Sequence, residues 1–413
     1  MAIIRPFRGL RPAAGKEKAV AALPYDVYSR EEARRKVEGD PLTFLRIDRP
    51  ETQFPPEQDM YADCVYKKGD EMLREMEKKG VFVQDETPCF YLYELTMDGR
   101  SQTGLVACSA VDDYVSGVIK KHENTRRDKE EDRIRHVDAL SAQTGPIFLA
   151  YRAEETVSRL LAKEKESPAL ADFVSEDGVR HRVWKICSGD VIRRLAEAFE
   201  KIPHTYIADG HHRAASAVEV SMMRRREHPD YTGEEEFNYF LSVLFPDEEL
   251  RILDYNRVLK DLNGYSREEL LEKLRESFAL EGPVREPVRP QRKGEMGLYL
   301  GEQWYRLTAR EEKKLQDPVG CLDVAFLQRE VLEPVFGIRD PKTDRRIDFV
   351  GGIRGLKELE RRCHEDCQAA FSLYPTSMEE LFDVADQGLL MPPKSTWFEP
   401  KLRSGLFIHK IER

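Results

Sequence analysis

The stretch CFYLYELTMDGRSQTGLVACSAV, residues 89–111, sets two apolar, strand-prone runs on either side of Asp98-Gly99. That dipeptide tolerates the positive φ angles of a tight two-residue hairpin, so the spacing predicts two antiparallel strands. The same grammar recurs in MGLYLGEQWYRLT (296–308), a hairpin around Gly301-Glu302. NYFLSVLFPDEELRILDYNRVL (238–259) reads as strand, Pro-Asp turn and strand. Hairpins of this kind exclude an all-parallel sheet.

Helical patterns alternate with the hairpins. Ser29 precedes REEARRKVEGD as an N-cap, with Glu31 and Glu32 in the first turn where the helix dipole favours them. Residues 57–80 carry Met60, Cys64, Val65, Met72, Leu73 and Met76 at helical spacing and stop at Gly80. KKHENTRRDKEEDRIRHVDAL (120–140) suits a helix with Ile134, Val137 and Leu140 inward, followed by a strand after Gly145-Pro146. GDVIRRLAEAFEKI (189–202) and residues 265–280 read as helices, and TFLRID (43–48) reads as a strand. Together these predict an α+β fold of mixed sheets and helices rather than a doubly wound parallel sheet. The expected division is an N-terminal α/β part (1–115), a core (116–260) and a C-terminal α/β part (261–413).

With 413 residues, 40% hydrophobic and 34% charged, the chain has the balance of a globular protein with two or three domains. Its longest apolar runs, such as YFLSVLF at 239–245, fall far short of the roughly 20 residues of a membrane span. The N-terminus lacks the pattern of a signal or transit peptide, and seven scattered cysteines suit reduced thiols, so a cytoplasmic location is expected. A net charge of −10 argues against a general nucleic-acid-binding role.

TYIADGHHRAASAV (205–218) has the grammar strand, turn, helix, and packs Asp209, Gly210, His211, His212 and Arg213 into the turn. Such a turn offers backbone N–H groups and the positive end of a helix dipole to a phosphate or carboxylate. Gly210 permits close approach, Arg213 brings a fork for phosphate oxygens, and His211 and His212 donate hydrogen bonds or relay protons. Asp209 suits orienting a histidine, holding Mg²⁺ or accepting a proton. The bland reading is an N-cap aspartate with solvated neighbours.

Three further clusters carry chemistry. KKHENTRRDKEEDR (120–133) offers Glu123 as a carboxylate base beside His122, Arg126 and Arg133, cations for a polyphosphate; a salt-bridged, solvated helix face is the alternative. PPKSTWFEPKL (392–402) sets Lys394 and Lys401 around Trp397, a loop suited to phosphate and base stacking or simply to packing. In PYDVYS, Tyr25 and Asp26 either line a pocket or fix a turn. CHEDC (363–367) supplies half a zinc site at most.

IADGHHRAASA, LPYDVYSREEAR, KKHENTRRDKEEDRIRHVDALSAQTGPIF and a tail running from GIRDPKTDRRIDFVGG to KLRSGLFIH resemble the bacterial and archaeal family catalogued as domain of unknown function 1015, nearly end to end. That family resembles the ParB and sulfiredoxin superfamily, whose short Gly/His/Arg turn cradles nucleotide phosphates and which includes free-serine kinases. The resemblance implies a ParB/sulfiredoxin-like core, phosphoryl transfer from ATP or ADP with Mg²⁺, and L-serine as acceptor. It implies phosphate binding by Gly210, His212 and Arg213, and a base that is Glu123 or Asp26. Two alternatives stay open: a nucleotide-binding regulator without turnover, and a phosphoester hydrolase. Partners on this reading are a nucleotide and a serine-like amino acid, with no nucleic acid or membrane; homo-oligomerisation is left open.

Overall fold

A computed structural model describes residues 1–125 and 127–411. The fold is mixed α/β, and the chain divides into two compact units, Met1–Leu250 with Pro400–Arg413, and Arg251–Glu399. The expected boundaries at 115/116 and 260/261 do not coincide with this division. Strands from both sides of 115/116 share one sheet, and the chain leaves the first unit right after the Pro-Asp turn.

The first unit is built on a nine-stranded sheet. Its order runs Ile119–Lys120, Thr205–Asp209, Ile147–Tyr151, Tyr239–Pro246, Arg100–Ala110, Phe90–Met97, Arg180–Ile186, Ala171–Val174, with Ile4–Arg5 also on Arg100–Ala110. The 90–110 hairpin forms as its turn dictates: Met97 pairs with Arg100, and Asp98 and Gly99 both have positive φ, 52° and 77°. Two pairs are parallel, Thr205–Asp209 with Ile119–Lys120 and Tyr239–Pro246 with Ile147–Tyr151; the others are antiparallel.

Alternate residues of these strands, including Phe90, Leu92, Leu105, Ala107, Leu149 and Ile207, meet the helices Glu155–Glu164, Gly189–Phe199 and His211–Glu227 in one core. A second core forms around the helix Asp63–Lys78, whose Met72, Leu73 and Met76 meet Leu10, Phe44, Ile47 and Ile408. The capped helix Arg30–Val37 has the full reciprocal capping box between Ser29 and Glu32. The strand expected at 43–48 is instead a short helix, Leu45–Asp48. Asp40 Oδ1 accepts from the backbone N–H groups of Leu42 and Thr43, a turn that starts a helix rather than a strand.

The second unit holds a six-stranded antiparallel sheet in the order Phe278–Val284, Gln303–Ala309, Glu295–Leu300, Ala369–Leu373, Tyr255–Leu259, Ile347–Gly351. The helix expected over 265–280 is shorter, Arg267–Leu274, because Phe278 and Leu280 enter this sheet opposite Ala309 and Leu307. The strand, Pro-Asp turn and strand expected over 238–259 form, with Tyr239–Pro246 in the first sheet and Tyr255–Leu259 in the second. No helix among the described residues is long and apolar enough to cross a membrane.

Candidate functional site

The 205–218 stretch folds as its residue types require. Tyr206, Ile207 and Ala208 are buried in the strand Thr205–Asp209, and Gly210 breaks it at φ 92°, ψ 32°, a left-handed conformation that L side chains rarely adopt. Gly210 is the N-cap of the 17-residue helix His211–Glu227 and brings no side-chain acceptor to that helix's first-turn N–H groups. A Cβ at this position would stand 3.0–3.1 Å from the Arg213 guanidinium.

Arg213 ties the turn to its neighbours. Its Nη1 donates to the Pro146 carbonyl at 2.6 Å, just before the adjacent strand Ile147–Tyr151, and its Nη2 donates to Asp209 Oδ2 at 3.0 Å. Two of the five guanidinium N–H groups are thereby used. Lys401 Nζ lies 3.6 Å from Asp209 Oδ1. One carboxylate thus faces two cations at the positive end of a helix, so the mouth of the turn favours an anion.

The KHENT segment reaches the same place by sheet topology. Ile119–Lys120 runs parallel to Thr205–Asp209, with Lys120 opposite Tyr206, so residues 121–125 leave the sheet beside the turn. His122 is buried and meets the His211 ring edge-on at 4.6 Å between centroids. Burial pushes His122 down to about 4, against the pull of Asp209 and a hydrogen bond to the Ile207 backbone. Burial, with His122 next, holds His211 well below the usual imidazole range, so both rings are neutral at pH 7. His211 Nε2 is buried without a hydrogen-bond partner among the described residues. Glu123, half-buried, follows directly, and Arg126 lies outside the described residues.

Behind Arg213 lies a small cavity of about 30 Å³ lined by Tyr25, Asp48, Arg133, His136, Thr144 and Ser404, among others. That volume holds a water or two and no nucleoside. Arg133 is buried and spent on structure: its guanidinium pairs with Asp132 at 2.7 Å and lies 4.0 Å from the centre of the Tyr25 ring. Burial raises Tyr25 to about 12, so its hydroxyl keeps its proton. Asp26, next in sequence, is exposed.

Lys394 and Trp397 belong to the second unit. There the 391–399 loop is held by Arg257 Nη2 donating to the Pro393 carbonyl at 3.2 Å and Thr376 Oγ1 to that of Ser395 at 3.0 Å. Trp397 meets Tyr255 edge-on at 4.9 Å, and Lys394 Nζ sits 5.7 Å from the same ring. Cys367 is buried in the second unit's core, and the described residues contain no group of three or more metal-ligating side chains.

The turn and the KHENT segment are adjacent in the fold, and Lys401 and the Pro146 carbonyl join the turn without any local sequence signal for it. Lys401 is 188 positions from Arg213 in a segment that returns to the first unit only at residue 400, and its sequence neighbours point elsewhere.

Solved structures resembling the chain include a mutant free serine kinase in complex with ADP, at 13% identity and a TM-score of 0.37 over 75% of this chain and 92% of that one. They also include the C-terminally truncated SbnI from Staphylococcus aureus (12%, 0.37, 71% and 82%) and a conserved hypothetical protein from Pyrococcus furiosus (15%, 0.32, 74% and 94%). No curated protein matches significantly. The family described as protein of unknown function (DUF1015) matches residues 4–325, and the chain belongs to that family.

Proposed function

We propose that the protein transfers a phosphoryl group from ATP or ADP to the hydroxyl of a small hydroxy amino acid, L-serine first. The observation that carries this reading is the Asp209–Arg213 turn, where left-handed Gly210 opens a long helix between Arg213 and Lys401. Phosphoryl transfer is mostly positioning and charge neutralisation, and this turn is equipped for both. Serine as acceptor comes from the family's resemblance to the ParB/sulfiredoxin superfamily, which includes free-serine kinases.

In this reading Arg213, Lys401 and the first-turn N–H groups of the helix hold the nucleotide phosphates. Mg²⁺ bound with the nucleotide would neutralise phosphate charge, and Asp209 would be the carboxylate to hold it. Glu123 takes the proton as the serine oxygen forms its bond to the terminal phosphorus and the bond to the departing nucleotide breaks. Parallel pairing of Ile119–Lys120 with the turn's own strand favours Glu123 over Asp26 as base. Neutral His122 and His211 leave the proton balance to that carboxylate.

The test is ³¹P NMR of the protein with Mg²⁺ and ATP, then ADP, with and without L-serine. O-phosphoserine appearing only with serine supports the kinase. Inorganic phosphate alone would identify a hydrolase, and intact nucleotide would argue for a regulator. E123Q should lose roughly 10²–10⁴-fold in kcat with KM for nucleotide retained, while D26N stays close to the parent. G210A and Arg213→Gln should weaken nucleotide binding, read by calorimetry.

A further inference from the structure

We infer that Cys89 and Cys187 form a reversible cross-strand disulfide when a hydroperoxide reaches the protein. Phe90 pairs with Ile186 at the end of the antiparallel ladder between Phe90–Met97 and Arg180–Ile186, so the next residues on each side, Cys89 and Cys187, face one another. Facing residues of an antiparallel pair have Cα atoms about 4.5–5.5 Å apart, inside the range a disulfide spans without backbone movement. Their sulfurs are 2.8 Å apart, and no other sulfur–sulfur contact within hydrogen-bond range occurs among the described residues.

The two thiols differ in the way an oxidation relay needs. Cys187 is exposed, so an oxidant meets it first, whereas Cys89 is fully buried. Burial and the neighbouring sulfur raise the Cys89 thiol to about 11, so it waits as the protonated resolving partner. The charge of Lys185, which is fixed to Asp85 Oδ1 at 2.8 Å, acts on both sulfurs. In the first step the Cys187 sulfur takes one oxygen from the hydroperoxide, giving a sulfenic acid and the corresponding alcohol or water. In the second, the Cys89 sulfur displaces hydroxide, the S–S bond forms, and the Cys89 proton leaves with the hydroxide as water. A dithiol reductant reverses it.

The ring closed in this way spans 98 residues, and it would pin the strand end that also bridges to Phe7. The experiment treats the full chain with stoichiometric hydrogen peroxide under native conditions and maps peptides without reduction. The expected result is a Cys89–Cys187 linked peptide, two of the seven thiols lost to Ellman's reagent, and a Tm higher by about 5–10 °C, all reversed by dithiothreitol. C89S should instead leave Cys187 as a sulfenic acid trapped by dimedone, and exposed C187S should leave Cys89 unmodified. Cys187 advancing to sulfinic acid in the parent protein with no linked peptide would overturn the inference. So would both thiols staying reduced while exposed Cys64 oxidises.

Discussion

Four buried histidines give the first unit its pH response. Burial holds His122 at about 4 and His181 at about 3, with Arg403 adding to the depression of His181. His211 is held well below the usual value by burial and by His122, and His136 is lowered by burial and by Arg133. In the unfolded chain each returns to 6.5, so below that pH the unfolded state takes up protons that the folded state refuses. Their stability contribution is therefore complete above pH 6.5 and lost as pH falls toward the folded values, by up to about 1.4 kcal/mol per pH unit for each ring. Asp113 and Glu249, whose carboxyls burial pushes up, and Asp323 in the second unit, which burial raises to about 6, act in the opposite direction as pH falls, so the histidine effect is read most cleanly just below pH 6.5. The expected outcome is a Tm that is flat from pH 8 to 7 and falls between 6.5 and 5.5. His122→Gln, which keeps a donor for the Ile207 backbone, should reduce that fall. A Tm independent of pH across this window would contradict the four neutral rings.

At the scale of elements, close contact across the main sheet sets the next expectation. Gly104 lies within the strand Arg100–Ala110, and a Cβ there would stand 2.5 Å from Val243 Cγ1 and 2.8 Å from Phe245 Cζ. Phe245 is itself fixed against Phe148, 4.6 Å between ring centroids, so neither neighbour has room to yield. Gly104→Ala should therefore cost about 1–3 kcal/mol, read as a lower urea midpoint with an unchanged m-value. An unchanged midpoint would mean that the two strands separate more easily than their packing implies. Elements governed by local rules were the legible ones. The Asp98-Gly99 hairpin, the Ser29 capping box and the Asp209–Arg213 turn each carry their cause within a few residues. TFLRID misled because its apolar residues are buried against partners as distant as Ile408, which erases the alternation a half-buried strand would show. The candidate site divides in the same way. The turn was readable, whereas Arg213 reaching Pro146, Arg133 covering Tyr25 and Lys401 meeting Asp209 depend on contacts that no short window of sequence contains.

The whole molecule is an insertion architecture. The second unit's ends are joined by its own strand pairing, Ile252 with Phe398 and Leu253 with Trp397, so it begins and finishes at one place. Its core contains Val258, Trp304, Val350, Leu359 and Ala370, all supplied from within Arg251–Glu399. The first unit, by contrast, is completed only when the chain returns. Ile408 exchanges backbone hydrogen bonds with Leu10, Ser404 does so with Ala22, and Phe407 packs on Tyr91 and Tyr93 at 5.4 and 5.7 Å. His409 and Lys410 pair with Gln143 and Ala142 as a short strand. A fragment with its own core and paired ends has what independent folding requires, and a fragment stripped of its closing segment does not. The 251–399 fragment alone should then unfold cooperatively in urea with the circular dichroism of a folded α/β protein. A chain ending at Leu250 should be strongly destabilised, and joining Leu250 to Pro400 through a short Gly/Ser linker should restore cooperative folding together with the Lys401 contact to Asp209. Rescue fails if the first unit depends on the inserted unit for its stability, and that result would make the two units one cooperative body.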